Sequence, residues 1–559
     1  MDSRDSDVLR IRLQQLIFVL GPGVTLFINP WSNFDPISLP KMVVLTTFAF
    51  SQLSVVILLK SLSKESLKFL RVSCFGFLFF MSLTFLFSGS PINQQFWGVF
   101  GRNTGFLTYF SLLIVLYSAS CIDDRLFFKR ILNSLTLTSF FVVSYSIVQY
   151  FKLDPIVWSE QGMFSTLGNI NFLSAFLGLS SVAAVGLATQ HRLSVMKRAT
   201  FVSLSLIQMM VVWETGSIQG LMMFFSGSYV LLFIYLIMNR KKLKVVVPYF
   251  IFGLASLSFV ILGLMNKGLL ARVIYQPSVV FRGDYMHAGL AMTLDHPLIG
   301  VGMDGYGDWY RESRGEISTL RDNPDRVANT AHNIFLDIFS NGGIPLLICY
   351  LLIFSTVLYH SLKYLKRNDK FDPIFSTMFS VWIAYQIQAT ISINQIGVGV
   401  WGWILSGSII AYEITTRESS ALSKKILIQG RRRSGLMLSA PKALLVLLFA
   451  FLGFMLNLLP LRADMSFRSA LKTGSIDQAL HASELIGATS WHATMVLDSA
   501  VKENNADVAK RVISRMTTKY PREFYGWRIL AVSTFATIEE RDRAIRELRK
   551  LDPFNPMLK

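Results

Sequence analysis

Long apolar runs separated by short polar breaks occupy most of the chain. Runs long enough to cross a bilayer as helices fall near 13–29, 42–60, 67–88, 104–121, 131–151, 171–189, 199–214, 217–238, 245–265, 333–360, 371–392, 396–414 and 443–461. The pattern predicts an all-α polytopic integral membrane protein of thirteen transmembrane helices, or twelve if the first run, interrupted by Gly21, Pro22 and Gly23, does not cross. The two runs that meet at Thr215 and Gly216 have almost no loop between them. The two longest polar stretches are residues 266–332 and everything after Leu461.

Basic residues orient these spans, because Lys and Arg accumulate in short loops on the cytoplasmic side. Every second connection is basic: Arg4, Arg10 and Arg12; Lys60, Lys64, Lys68 and Arg71; Arg125, Lys129 and Arg130; Arg192, Lys197 and Arg198; Arg240, Lys241, Lys242 and Lys244; Lys363, Lys366, Arg367 and Lys370; Arg417, Lys424 and Lys425 with Arg431, Arg432 and Arg433. The alternation runs through all thirteen spans. It predicts a cytoplasmic N-terminus, with the 266–332 loop and the C-terminal tail on the outer side of the cytoplasmic membrane.

Composition agrees. With 52% hydrophobic and 13% aromatic residues and a mean hydropathy of +0.46, the chain is too apolar for a soluble domain of 559 residues. The formal charge of +19 needs no nucleic-acid partner, since roughly half of the Lys and Arg lie in the basic loops, where anionic lipid suffices. Cys74, Cys121 and Cys349 fall in apolar runs and offer no disulfide or zinc framework. No small-residue cleavage site follows the first run, so a removed signal peptide is not expected.

The expected domains are 1–462, transmembrane, and 463–559, a small outer helical domain. In the tail Ala and Leu recur at helical spacing (Ala470 and Leu471, Ala479 and Leu480, Ala509 to Val512, Ala544 to Leu548), with breaks at Gly474, Pro521 and Pro553. This resembles two to three degenerate tetratricopeptide-type hairpins, clearest from Pro521 to Pro553. Such repeats more often bind proteins or peptides than catalyse, which makes a protein partner here an expectation alongside a plain packing role.

The 266–332 loop gathers Arg272, Arg282, His287, His296, Arg311, Arg314, Arg321, Arg326 and His332. Arginines and histidines returning to a bilayer surface suggest an anionic ligand with a proton acceptor beside it. From Arg282 to Met292 apolar residues recur at helical spacing, so Arg282 is expected to open an amphipathic segment. Asp295 to Tyr306 is a glycine-punctuated turn whose backbone N–H groups are expected to line a concave anion site. Thr330, Ala331, His332 and Asn333 then lead into the next span.

The order Arg282, then Asp295-His296-Pro297-Leu298-Ile299-Gly300-Val301-Gly302, then Ala331-His332-Asn333 and Gly342-Gly343-Ile344-Pro345, resembles the signature of the O-antigen ligase and O-antigen polymerase superfamily. Phe96 to Gly105 and Gly168-Asn169-Ile170-Asn171 look like further pieces of it, so the resemblance covers about residues 90–415. It implies a metal-independent, cofactor-free membrane glycosyltransferase. Such an enzyme moves a glycan from a polyprenyl-diphosphate lipid to a hydroxyl of a glycan, lipid or protein acceptor. A leaving diphosphate suits guanidinium, which stays charged and binds phosphate as a fork, and Arg282 is the first choice for that role. His332 is the expected base for the acceptor hydroxyl. Arg102, Arg272, Gln219, Asn333 and His296 are the expected substrate-binding residues. Related ligases often carry an arginine in a Ser-Arg-Gly-like segment, where this chain reads Ser217-Ile218-Gln219-Gly220 and supplies no charge. That departure counts against a ligase in the strict sense and leaves polymerases and less-studied relatives more open.

Blander roles compete. His332 can be an interfacial cap, Arg282 a snorkelling anchor, His296 a turn residue, His287 helix surface and Glu214 a polar cap; His191 and His360 fall on the cytoplasmic side. Two other function classes fit many spans: a transporter or flippase of lipid-linked sugars, and a scaffold whose tail recruits assembly proteins. No internal repeat of span pattern supports the transporter. The enzyme reading predicts that replacing His332 is fatal and that deleting 464–559 is partial; the scaffold reading predicts the reverse.

Overall fold

In the computed structural model the described residues are 3–158, 162–239, 241–321, 323–422 and 438–558. The predicted basic residues Arg240, Lys424, Lys425 and Arg431 to Arg433 lie outside them, as does Lys559. Among the described residues the fold is all helical, with no β-strand. Each of the thirteen predicted spans contains a helix, yet among the described residues nine helices are by themselves long and apolar enough to cross a membrane, or ten counting the bent pair Ala440–Met455 and Leu458–Thr473. The protein is therefore a multi-pass membrane protein with fewer self-sufficient spans than expected.

The three that fall short do so for visible reasons. Ser3–Leu26 carries Asp5, Asp7, Arg10 and Arg12 in its first half. Phe106–Ser120 has 15 residues and Pro373–Ala389 has 17, which rise only about 22–26 Å against a hydrocarbon core of about 30 Å. The last two are mostly buried among other helices and so need not match the lipid. Ile396–Leu422 forms the centre of the bundle, with its most apolar stretch wholly buried. Ile170–Ala188, rich in Ser, Ala and Gly, packs closely on Val195–Glu214 and Ile218–Met238, as small residues let helix backbones approach in a membrane. Leu243–Leu264, by contrast, buries only Gly263.

Ile334–Arg367 is one long helix with a break at Gly343 (φ +73°), followed by Pro345. After the bent pair, the tail runs through Ile476–Glu484, Ser490–Lys502, Ala506–Lys519, Phe524–Val532 and Ile538–Leu551, each packing on its neighbour in sequence. Phe467, Leu497, Ile513 and Met516 form one tail core, and Trp527, Ala544 and Leu548 a second. The tail is fastened to the bundle at Asp464, whose carboxylate accepts from Asn33 Nδ2 (2.9 Å) and from the amides of Phe34 (2.8 Å) and Asp35 (2.9 Å).

Candidate functional site

The polar loop is mostly helical. Pro277–Asp295 opens with Pro277 in its first turn, where a missing N–H costs nothing, so Arg282 lies in the second turn instead of opening the segment. Tyr306–Ser313 and Glu316–Arg321 follow the glycine turn. Asn333 caps Ile334–Arg367, its Oδ1 accepting from the Leu336 amide at 3.1 Å.

The glycine turn does not cradle an anion. The amide of Val301 donates to Ser340 O (2.9 Å), Gly302 to Asn341 O (3.0 Å) and Gly300 to His296 O (3.0 Å), while Ile344 donates back to Pro297 O (2.8 Å). The N–H groups of Val301 and Gly302 are spent in splicing the turn onto the segment beside the break at Gly343. Gly300 (φ +69°) and Gly343 (φ +73°) make that approach possible: a Cβ on the first would lie 2.4 Å from Asn341 C, and on the second 2.6 Å from Pro297 O. The Asp295–Tyr306 motif thus sets the geometry of the loop relative to the helix that begins after His332.

His332 sits in the left-handed region (φ +53°), at a cost of about 1–2 kcal/mol for a non-glycine residue. Asp337, buried one turn into the helix, accepts from the Ala331 amide (2.7 Å) and from Thr330 Oγ1 (3.0 Å), and Thr330 Oγ1 accepts from the His332 amide (2.8 Å). These bonds hold the strained backbone and turn the half-buried imidazole against the Tyr285 ring, 5.4 Å away between centroids. Tyr285 itself is fixed by its carbonyl, which accepts from Tyr306 Oη at 2.6 Å. No described residue hydrogen-bonds to either ring nitrogen.

Two guanidinium groups act on that imidazole. Arg282 is half-buried and has no hydrogen bond or ion pair among the described residues. Arg102 reaches over from the loop before Phe106–Ser120; one Nη donates to Asn329 O, and the other lies 3.8 Å from Asp304. Its Nε is buried without a partner among the described residues. Asp304 is shared, since it also accepts from the Val99 amide (2.8 Å) and Thr104 Oγ1 (3.0 Å), so its charge is only partly spent on Arg102. Burial, then Arg282, then Arg102 push the His332 pKa down from the ordinary histidine value to about 4. Burial also lowers that of Arg282. At neutral pH the centre therefore holds a neutral imidazole beside two cations.

Arg102 also lines a cavity of about 190 Å³ with Asp35, Trp158, Phe164, Phe172 and Asn394. A second cavity of about 270 Å³ shares Phe164 and is walled by Asn169, Asn171 and Ser217. Gln219 lies behind that wall, 2% exposed, its Oε1 without a partner among the described residues. Glu214 is exposed.

The remaining expected residues are elsewhere. Arg272 is exposed on Ala271–Ile274, which packs on Leu243–Leu264, and no hydrogen bond or ion pair joins it to the centre. His296 packs edge-on against Trp309 at 4.5 Å, and Arg522 of the tail stacks on the same indole at 3.4 Å, a packing role. His287 is on the exposed helix surface. Sequence reading missed Asp337, Tyr285 and Asp304. Only Asp337 left a local signal, an acid five residues after a histidine at a helix start.

The chain matches no curated protein. Residues 201–351, which include Gln219, Arg272, Arg282, His296, His332 and Asn333, are similar to the family model described as O-antigen ligase, and Arg102 and the tail lie outside the match.

Proposed function

We propose that the protein is a membrane glycosyltransferase that moves a glycan from a polyprenyl-diphosphate lipid to a hydroxyl acceptor on the outer side of the cytoplasmic membrane, in cell-surface polysaccharide assembly. The observation that carries this reading is His332, held by Thr330 and Asp337 with its imidazole against the Tyr285 ring and near enough to Arg282 and Arg102 for both to lower its basicity. The acceptor oxygen forms a bond to the anomeric carbon as the bond from that carbon to the diphosphate breaks. The hydroxyl proton goes to His332, and the electron pair leaves with the lipid diphosphate, whose charge Arg282 and Arg102 stabilise.

Arg102 answers the missing arginine near Gln219. It comes from a different loop, yet it acts on His332 together with Arg282 and supplies a second positive charge for the phosphates. An arriving diphosphate also cancels part of the positive field on His332 and raises its basicity at the moment a base is needed. The cavity beside Arg102, with Trp158 and Phe164 next to Asp35 and Asn394, has the mixed aromatic and polar lining that a sugar requires. The outer location rests on the alternation of basic loops and on the contacts that put loop and tail at one end of the bundle. The tail, read as tetratricopeptide-like hairpins, braces the loop.

The test is transfer in liposomes from a polyprenyl-diphosphate glycan with chelator present, comparing wild type, His332→Ala and Arg282→Ala. Release of lipid diphosphate together with a lengthened or relocated glycan, lost in both variants, supports the reading, and the product separates polymerase from ligase. A folded wild type that transfers nothing across several donors and acceptors overturns it in favour of a transporter or scaffold.

A further inference from the structure

A cavity of about 770 Å³ lies between Lys68–Phe87 and the later turns of Ile334–Arg367, roughly 40 Å along that helix from His332. Its walls include Phe69, Val72 and Tyr359, apolar side chains that are 57%, 62% and 58% exposed. Its rim carries Lys68, Lys363 and Arg417.

The charges there do not balance. Glu65 faces Lys68 at 3.4 Å, but both are largely exposed, so the pair is weak. Glu413 is already held by His360 Nδ1 (2.9 Å) and Arg367 Nη1 (3.1 Å), which leaves Arg417 at a long 3.8 Å. Lys363 lies over the Tyr359 ring at 5.3 Å, with no ion-pair partner among the described residues. A groove with apolar walls and an excess of cations at one rim, set at the bundle end marked by basic loops, is complementary to a lipid with an anionic headgroup.

We propose that this groove binds one anionic glycerophospholipid of the cytoplasmic leaflet, its phosphodiester between Lys68, Lys363 and Arg417 and its acyl chains along Phe69, Val72 and Tyr359. A free phosphate would have no use for the apolar walls. The glycan donor's diphosphate belongs at the opposite end of the bundle. Binding here is separate from glycan transfer, so its failure would leave the transferase reading untouched.

The test is native mass spectrometry of the full chain in nonionic detergent, titrated in parallel with dioleoyl phosphatidylglycerol, dioleoyl phosphatidylcholine and inorganic phosphate. The wild type is expected to retain one phosphatidylglycerol at loadings where phosphatidylcholine is not retained, and inorganic phosphate should not displace it. Lys363→Gln combined with Arg417→Gln should weaken retention about tenfold or more, while Arg130→Gln, in another basic loop, should not. Equal retention of the two lipids, unchanged retention in the double variant, or displacement by phosphate at matched concentration would each overturn the proposal. If the double variant fails to elute as a single species, Lys363→Gln alone, which breaks no ion pair, decides by the same comparison.

Discussion

Arg314 of the loop and Asp552 of the tail form a buried ion pair, 2.7 Å apart and 1% and 0% exposed, between residues 238 positions apart in sequence. Arg311 adds a further bond to the same carboxylate at 3.0 Å, and Asn555 Nδ2 another at 3.0 Å. Nearby, Arg522 pairs with Glu312 and Arg528 with Asp325 at 3.0 Å. The segment between the glycine turn and His332 is thus clamped from outside by the tail.

Asp552→Asn should leave the buried Arg314 guanidinium without its counter-charge and Arg311 with only the longer 3.8 Å contact to Asp325, and an uncompensated buried charge costs about 3–5 kcal/mol in comparable sites. Faster tryptic cleavage around 314–326, a lower melting temperature and loss of transfer are expected together. The paired replacement Arg314→Met with Asp552→Leu should recover most of the stability, because it removes both charges. Deleting 464–559 should then abolish transfer and not merely reduce it, contrary to what the sequence suggested. A tail-deleted protein with normal transfer would show that the clamp has no catalytic consequence.

Arg102 and Arg272 looked equivalent in sequence, two arginines in outer polar loops, and the structure separates them. Arg102→Gln should lower kcat about 10²-fold, the scale of losing one preorganised charge donor. Arg272→Gln should stay within about twofold, as surface changes usually do. Steady-state transfer kinetics decide, and equal effects of the two would remove Arg102 from the centre. Arg282→Lys should recover little of what Arg282→Ala loses, since a lysine keeps the charge but not the fork.

What was legible in sequence followed from local pattern. Apolar runs located every span helix, and the loop's histidines and arginines marked where charge returns to the bilayer. Burial, however, lets Phe106–Ser120 and Pro373–Ala389 be shorter than a lipid-facing span, and no run length discloses burial. Arg102 meets Asn329 across 227 positions, so neither loop alone shows the pairing. The glycine turn was misread because glycine spacing tells where amides are exposed to approach but not what approaches. Here it was the backbone of Ser340 and Asn341.

Gly300→Ala tests that correction. The added Cβ would meet Asn341 backbone atoms at 2.4 Å at a residue with φ +69°, so turn and helix break must move apart. A loss of more than about 1 kcal/mol in stability is expected, with transfer reduced through KM and kcat together, because the whole loop shifts. A change confined to donor KM, with stability intact, would instead revive the anion-cradle reading.

The pH profile should carry the signature of His332. Its folded pKa of about 4 is below the ordinary histidine value of 6.5, so the imidazole is neutral and able to accept a proton throughout the neutral range. The acid limb of kcat/KM, which reports the free enzyme, should therefore fall near pH 4. With the donor bound, the diphosphate offsets Arg282 and Arg102, and the limb of kcat should move to higher pH. The stability change has the same origin: between about pH 6.5 and 4 the unfolded chain takes up the proton and the folded one does not. His332 therefore costs stability progressively as pH falls through that window, and none above it. His332→Gln should remove this slope in thermal melts between pH 4 and 7. A kcat/KM limb at 6.5 or above, or an unchanged slope in the variant, would mean that the imidazole does not feel the two arginines.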